Sequence, residues 1–99
     1  MDKEQIRVAN DRLRTTFTGG KVMLTPLVRA SGCIDQIIRA VRGFNDFTPN
    51  NDPHEEHDLG IITVYGEEYI FKIDHYDDNY EMYQACGNLV MLIMHRSEY

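Results

Sequence analysis

No stretch of 18 consecutive apolar residues occurs in the sequence, so no segment reads as a membrane-spanning helix. Cysteine is scarce. Cys33 and Cys86 are too few and too scattered for a disulfide framework and read as buried thiols in a reducing compartment. The opening MDKEQIRVAND is charged and helical. It lacks the basic-then-apolar layout of a secretory signal, so a cytoplasmic protein is expected. Basic residues almost vanish from the second half. Residues 1–42 hold 8 Lys/Arg and 4 Asp/Glu, a net of +4, whereas residues 43–99 hold 2 and 12, a net of −10, which together make the formal −6. Such a half repels phosphates and attracts basic surfaces. Repeats, low-complexity tracts and interdomain linkers are also missing, and 99 residues suit a single domain, 1–99, with one small core.

What is present reads as alternating helix and strand signals. Ile6, Ala9, Leu13 and Phe17 follow helical spacing over residues 3–17, and Gly19-Gly20 is the expected stop. Lys21–Thr25 reads as a short strand, and Thr25-Pro26 as the cap and first residue of a single helical turn. Ile34, Ile37, Ile38 and Val41 line one face of a second helix, which starts at Ser31 or Cys33 and ends at Arg42 before Gly43. Residues 45–58 form a loop rich in Asn, Asp and Pro. LGIITVY and EYIFKIDHY then flank Gly66-Glu67, a two-residue turn with glycine first. That turn pairs Val64 with Tyr69, Ile62 with Phe71 and Gly60 with Ile73 on an apolar face that should meet the helices. It leaves Thr63, Ile70, Ile61, Lys72, Leu59 and Asp74 on a mixed face. A last strand covers about Leu89 to His95. The expected fold is α+β, an antiparallel sheet of three to four strands with two helices packed on one face.

The catalytic patterns are thin. His54 and His57 are three apart, with Asp52, Glu55, Glu56 and Asp58 around them, but they lie in a loop after Pro53 rather than four apart on a helix. The acidic DHYDDNYE lacks the alternating ligands and central glycine of a calcium loop. Neither a Gly-x-Ser-x-Gly elbow nor a phosphate loop is present. His75 shares parity with Tyr69, Phe71 and Ile73, which makes it a partly buried strand-end residue. Arg7, Arg12, Arg14 and Lys21 read as a solvated basic face around the first helix. No catalytic residue, metal ligand or cofactor is therefore assigned.

The acidic residues suggest a contact surface instead. Asp74, Asp77, Asp78 and Glu81 extend the third strand. Asp46, Asp52, Glu55, Glu56 and Asp58 crowd the loop, and Glu67 and Glu68 mark the turn. Alternate side chains on one strand face lie about 6.6 Å apart, close to the spacing of phosphates along a nucleic-acid strand. Tyr76 and Tyr80, with Tyr65 and Tyr83, would bury area at small entropic cost.

NDRLRTTFTGGKVMLT, AVRGFNDFTPNNDPHEEHDLG and YIFKIDHYDDN resemble an uncharacterised bacterial family, domain of unknown function 3768. The loop is similar to its pattern in Phe47, Thr48, Pro49, Asn51, Asp52, Pro53, Glu56, His57, Asp58 and Gly60. His54 stands where other residues are usual. The resemblance implies a small cytoplasmic protein frequent on plasmids, phages and other mobile elements, and it implies no activity. The expectation is a non-enzymatic acidic interaction protein that occupies a basic surface of a host nucleic-acid-handling defence complex. It would act as an anti-CRISPR or anti-restriction inhibitor, with no direct nucleic-acid contact. The alternative is a metal- or ligand-dependent enzyme using Asp52, Glu56, His57 and Asp58.

Overall fold

Asp2 opens the first helix with a reciprocal cap. Its carboxylate accepts from the Gln5 N–H at 2.8 Å, and the Gln5 side chain accepts from the Asp2 N–H at 3.0 Å. This satisfies donors that a helix start leaves unpaired. The computed structural model describes residues 2–76 and 87–99 and places helix α1 at Lys3–Thr16. Its end falls earlier than the glycines suggest. Phe17 turns left-handed at φ 58°, and its N–H closes on the Leu13 carbonyl at 2.8 Å. Packing of Phe17 against the core holds the cap, so the stop does not wait for Gly19.

Strand β1 is Lys21–Leu24, followed by the single turn α2, Pro26–Arg29, and by helix α3, Ile34–Gly43. Thr25 sits at the α2 cap, but its hydroxyl does not bond the helix; it donates to Glu98 Oε1 at 2.6 Å. Ile37 and Val41 of α3 are fully buried, as their spacing predicts. Strands β2, Leu59–Val64, β3, Glu67–Tyr76, and β4, Asn88–His95, complete the sheet before a terminal 3₁₀ turn, Arg96–Glu98.

The sheet order is β1-β4-β3-β2. The fold is α+β as expected, but the sheet is mixed rather than antiparallel. β1 runs parallel to β4, with Lys21 beside Val90 and Leu24 beside Ile93. Strand direction follows from how the helices carry the chain across the sheet, and no local pattern encodes it.

The β2–β3 hairpin also shifts. Val64 pairs with Glu67, Ile62 with Tyr69 and Gly60 with Phe71. The turn residues are therefore Tyr65 and Gly66, both left-handed at φ 51° and 78°. Two positive-φ residues make the turn whose twist suits a hairpin, and Gly66 serves as its second residue rather than its first. The slip is two positions, so every side chain keeps its face. Ile62, Val64, Tyr69, Phe71 and Ile73 do face the helices. They pack with Leu13, Val28, Ile37, Val41, Met91 and Ile93 in one core. Gly60 is required there, because a β-carbon would overlap the Phe71 ring and meet Phe44 at 2.8 Å.

Candidate functional site

The loop between α3 and β2 is built from its own short side chains. Asn51 Oδ1 accepts from the Thr48 N–H at 2.8 Å, Asn51 Nδ2 donates to the Asp46 carbonyl at 2.9 Å, and the Asp52 N–H donates to the Thr48 carbonyl at 2.8 Å. Asp52 is the centre of the loop. It is buried, 5% exposed, and its Oδ1 accepts from the N–H groups of Glu56 and His57, both at 3.1 Å. Glu55 and His57 sit at φ 57° and 55°, a conformation that side chains disfavour. The Asp52 carboxylate holds that backbone in place.

The His57 ring lies flat on Phe47, centroids 3.8 Å apart and planes 3° from parallel. Its Nδ1 donates to Asp11 Oδ1 at 2.9 Å, and its Nε2 stands 3.6 Å from Asp52 Oδ2. Arg7, Phe47, Thr48, Pro49, Asp52, Pro53, Glu55 and His57 line a shallow cleft of about 350 Å³ there.

Helix α1 supplies the other wall through residues that sequence reasoning did not assign. Asn10 is fully buried. Its Nδ2 donates to the Glu56 carbonyl at 3.0 Å, and its Oδ1 accepts from His75 Nε2 at 3.1 Å. The proton of His75 is therefore on Nε2. The bare Nδ1 is buried without a partner among the described residues. Burial pushes the His75 pKa down, against the pull of Glu56, Asp74 and Asp58. The expected partly buried histidine is in fact 4% exposed.

Arg14 corrects the solvated-face reading of the basic residues. It is 5% exposed. Its Nη1 donates to the carbonyls of Val41, Arg42 and Phe44 at 3.3, 3.3 and 2.7 Å, which caps the C-terminal end of α3. Its Nη2 donates to Asp11 Oδ1 at 3.0 Å, and the guanidinium lies over Phe47 at 5.3 Å. The signal was faint: Asn10, Asp11 and Arg14 flank buried Leu13 at helical spacing, but polar residues beside an apolar stripe are usual.

The predicted contact residues divide by position. Glu56, Asp58 and Asp74 each act on buried His75 near the end of β3, and buried Asp52 and Asp74 act on Asp58. Burial raises the Asp58 pKa, and the charges of Asp52 and Asp74 add to that rise. Asp46 is exposed nearby in sequence, and Glu55 is exposed with Lys3 at 3.8 Å and Arg7 at 3.9 Å. Asp74 has Lys72 at 3.4 Å, and Tyr76 is half-buried at the strand end. Glu67 and Glu68 sit at the opposite end of the hairpin, facing His95 at 3.5 Å and Arg96 at 3.7 Å. Asp77, Asp78, Tyr80 and Glu81 lie outside the described residues, as do Tyr83 and Cys86. Among the described residues, no three His, Cys, Asp or Glu side chains are placed to share a metal ion. No described helix is long and apolar enough to cross a membrane.

Fold and site together define a two-layer α+β protein with a buried polar junction and a carboxylate cluster at one end of a mixed sheet. The chain belongs to the family described as "Protein of unknown function (DUF3768)", whose model matches residues 24–98. The match spans the loop and hairpin stretches that carried the resemblance; α1, which bears Asn10, Asp11 and Arg14, precedes it. No curated protein and no solved structure matches the chain.

Proposed function

We propose that this chain is a non-enzymatic acidic interaction protein of a mobile element. It would act in the cytoplasm without a cofactor, and its partner is a basic surface on a host nucleic-acid-handling defence complex. Occupying that surface makes it an inhibitor of the anti-CRISPR or anti-restriction kind. The observation that carries the reading is the meeting of carboxylates from distant segments. Asp74 comes from β3 and Glu56 and Asp58 from the loop; the charge of Asp74 acts on Asp58, and all three act on buried His75. Lys72 stands 3.4 Å from Asp74, but the carboxylates exceed it in number, and such an excess of one sign steers a basic partner and weakens with salt.

The test is a defence assay in cells, with plasmid or phage survival as readout, beside binding to the purified complex at two salt concentrations. The Glu56→Lys, Asp58→Lys, Asp74→Lys triple variant should lose inhibition while keeping its circular dichroism spectrum. Glu67→Lys with Glu68→Lys should inhibit normally. Undiminished inhibition by the triple variant sinks the mechanism.

A second reading, a metal- or ligand-dependent enzyme at Asp52, Glu56, His57 and Asp58, is favoured by one observation. His57 is held by Asp11 beside a cleft that contains Arg7. Against it, Asp52 is occupied by two backbone N–H groups. Stoichiometric metal in purified protein, lost on His57→Ala, would select this reading.

A further inference from the structure

We infer that the free edge of β2 is a self-pairing surface, through which two copies of this chain join their sheets into one. β2 pairs with β3 on one side, and among the described residues no strand pairs with it on the other. The phase of that pairing is given by two facts. Val64 and Glu67 close a two-residue turn, which makes them a hydrogen-bonded pair, and the Ile73 N–H donates to the Asp58 carbonyl at 2.8 Å. Residues 58, 60, 62 and 64 thus bond inward to β3. The N–H and C=O groups of Leu59, Ile61 and Thr63 point away, and no described group bonds them.

Sheet edges are normally protected by charge, proline or a bulge. The strand LGIITV has neither charge nor proline, and its register against β3 is unbroken. It is also self-complementary. Antiparallel pairing about a two-fold at Ile61 sets Leu59 of each copy opposite Thr63 of the other, and each opposed pair exchanges both backbone bonds. On the outer face the central row becomes Ile70, Ile61 and then the same two residues of the second copy in reverse, an uninterrupted apolar row. The flanking rows carry Lys72 beside Leu59 at one end and Glu68 beside Thr63 at the other, so their ends are of opposite sign.

The helical layer fits the same operation. α3 packs on β2, and α1 lies along its inner side. A second α3 would therefore approach antiparallel, bringing Asp35 of the first turn toward Arg42 of the last. The antiparallel arrangement also sends the two carboxylate clusters to opposite ends, which limits repulsion between two chains of charge −6. This inference does not rest on the proposed inhibitor function.

Sedimentation velocity of the full chain, from about 5 μM to about 0.5 mM, tests it. Wild type should sediment as a dimer at the upper concentrations. Ile61→Lys sets two ammonium groups face to face on the outer surface and should raise the dissociation constant about tenfold or more. Ile61→Pro removes the outward N–H together with the Ile61 side chain, sparing the bonds to β3, and should act in the same direction. Ile61→Cys in a Cys86→Ser background should form a disulfide-linked dimer on air oxidation, and Cys86→Ser alone should not. A monomeric wild type throughout the range overturns the inference. So does a dimer left intact by both Ile61→Lys and Ile61→Pro.

Discussion

The two ends of the β2–β3 hairpin carry similar residues in opposite circumstances. At the turn, Glu67 and Glu68 face His95 and Arg96 at 3.5 and 3.7 Å in the solvent. At the loop end, Asp52, His75 and the α1 residues Asn10 and Arg14 are almost wholly removed from water. An exposed ion pair contributes little, because water solvates its members equally well apart. A buried polar group deprived of its partner leaves an unsatisfied donor, acceptor or charge. The loop end is therefore where the fold is held by polar contacts, and the turn end is where charge only decorates it.

The largest test of this contrast is Arg14→Met. The substitution keeps the apolar length but removes the donors to Val41, Arg42 and Phe44 and one of the two partners of Asp11, the other being His57. A loss of about 1–3 kcal/mol is expected, the cost of leaving buried acceptors without their donor. Urea denaturation measures it, and a loss below about 1 kcal/mol would show that water replaces the guanidinium freely.

An intermediate effect is expected from pH. The folded pKa of His75 lies below its unfolded value, so the unfolded chain binds the proton more readily. The stability from neutral His75 is complete above about pH 6.5 and is lost as pH falls through the folded value. The urea midpoint of wild type should drop between neutral pH and about pH 5 more steeply than that of His75→Gln. Parallel curves for the two proteins would remove His75 as the cause. The smallest effect is that of Glu68→Gln at the turn, expected within about 0.5 kcal/mol of wild type. A larger loss would mean that the ends differ less than their burial indicates.

Much of the fold was legible because it is written locally. Helical spacing located α1 and α3, and two-residue alternation located the hairpin and the faces of its strands. The register expected from the sequence differs by two positions, because glycine suits either position of a two-residue turn. The faces survived because the pleat repeats every two residues. The candidate site was less legible. Asp52 and Glu55 lie in one acidic run, yet Asp52 is buried under its own loop backbone and Glu55 is exposed. Nothing in the spacing of α1 distinguished buried Arg14 from exposed Arg12 as a cap for another helix.

Element order, inward faces and the strong acidity of the second half can be read from the amino-acid order, because they depend on neighbours a few residues apart. That β1 runs parallel to β4, that Arg14 closes α3, and that Glu56, Asp58 and Asp74 all act on His75 emerged only on folding. Those outcomes depend on contacts between segments far apart in the chain, where one residue type serves equally well as surface or as core until packing removes the water around it.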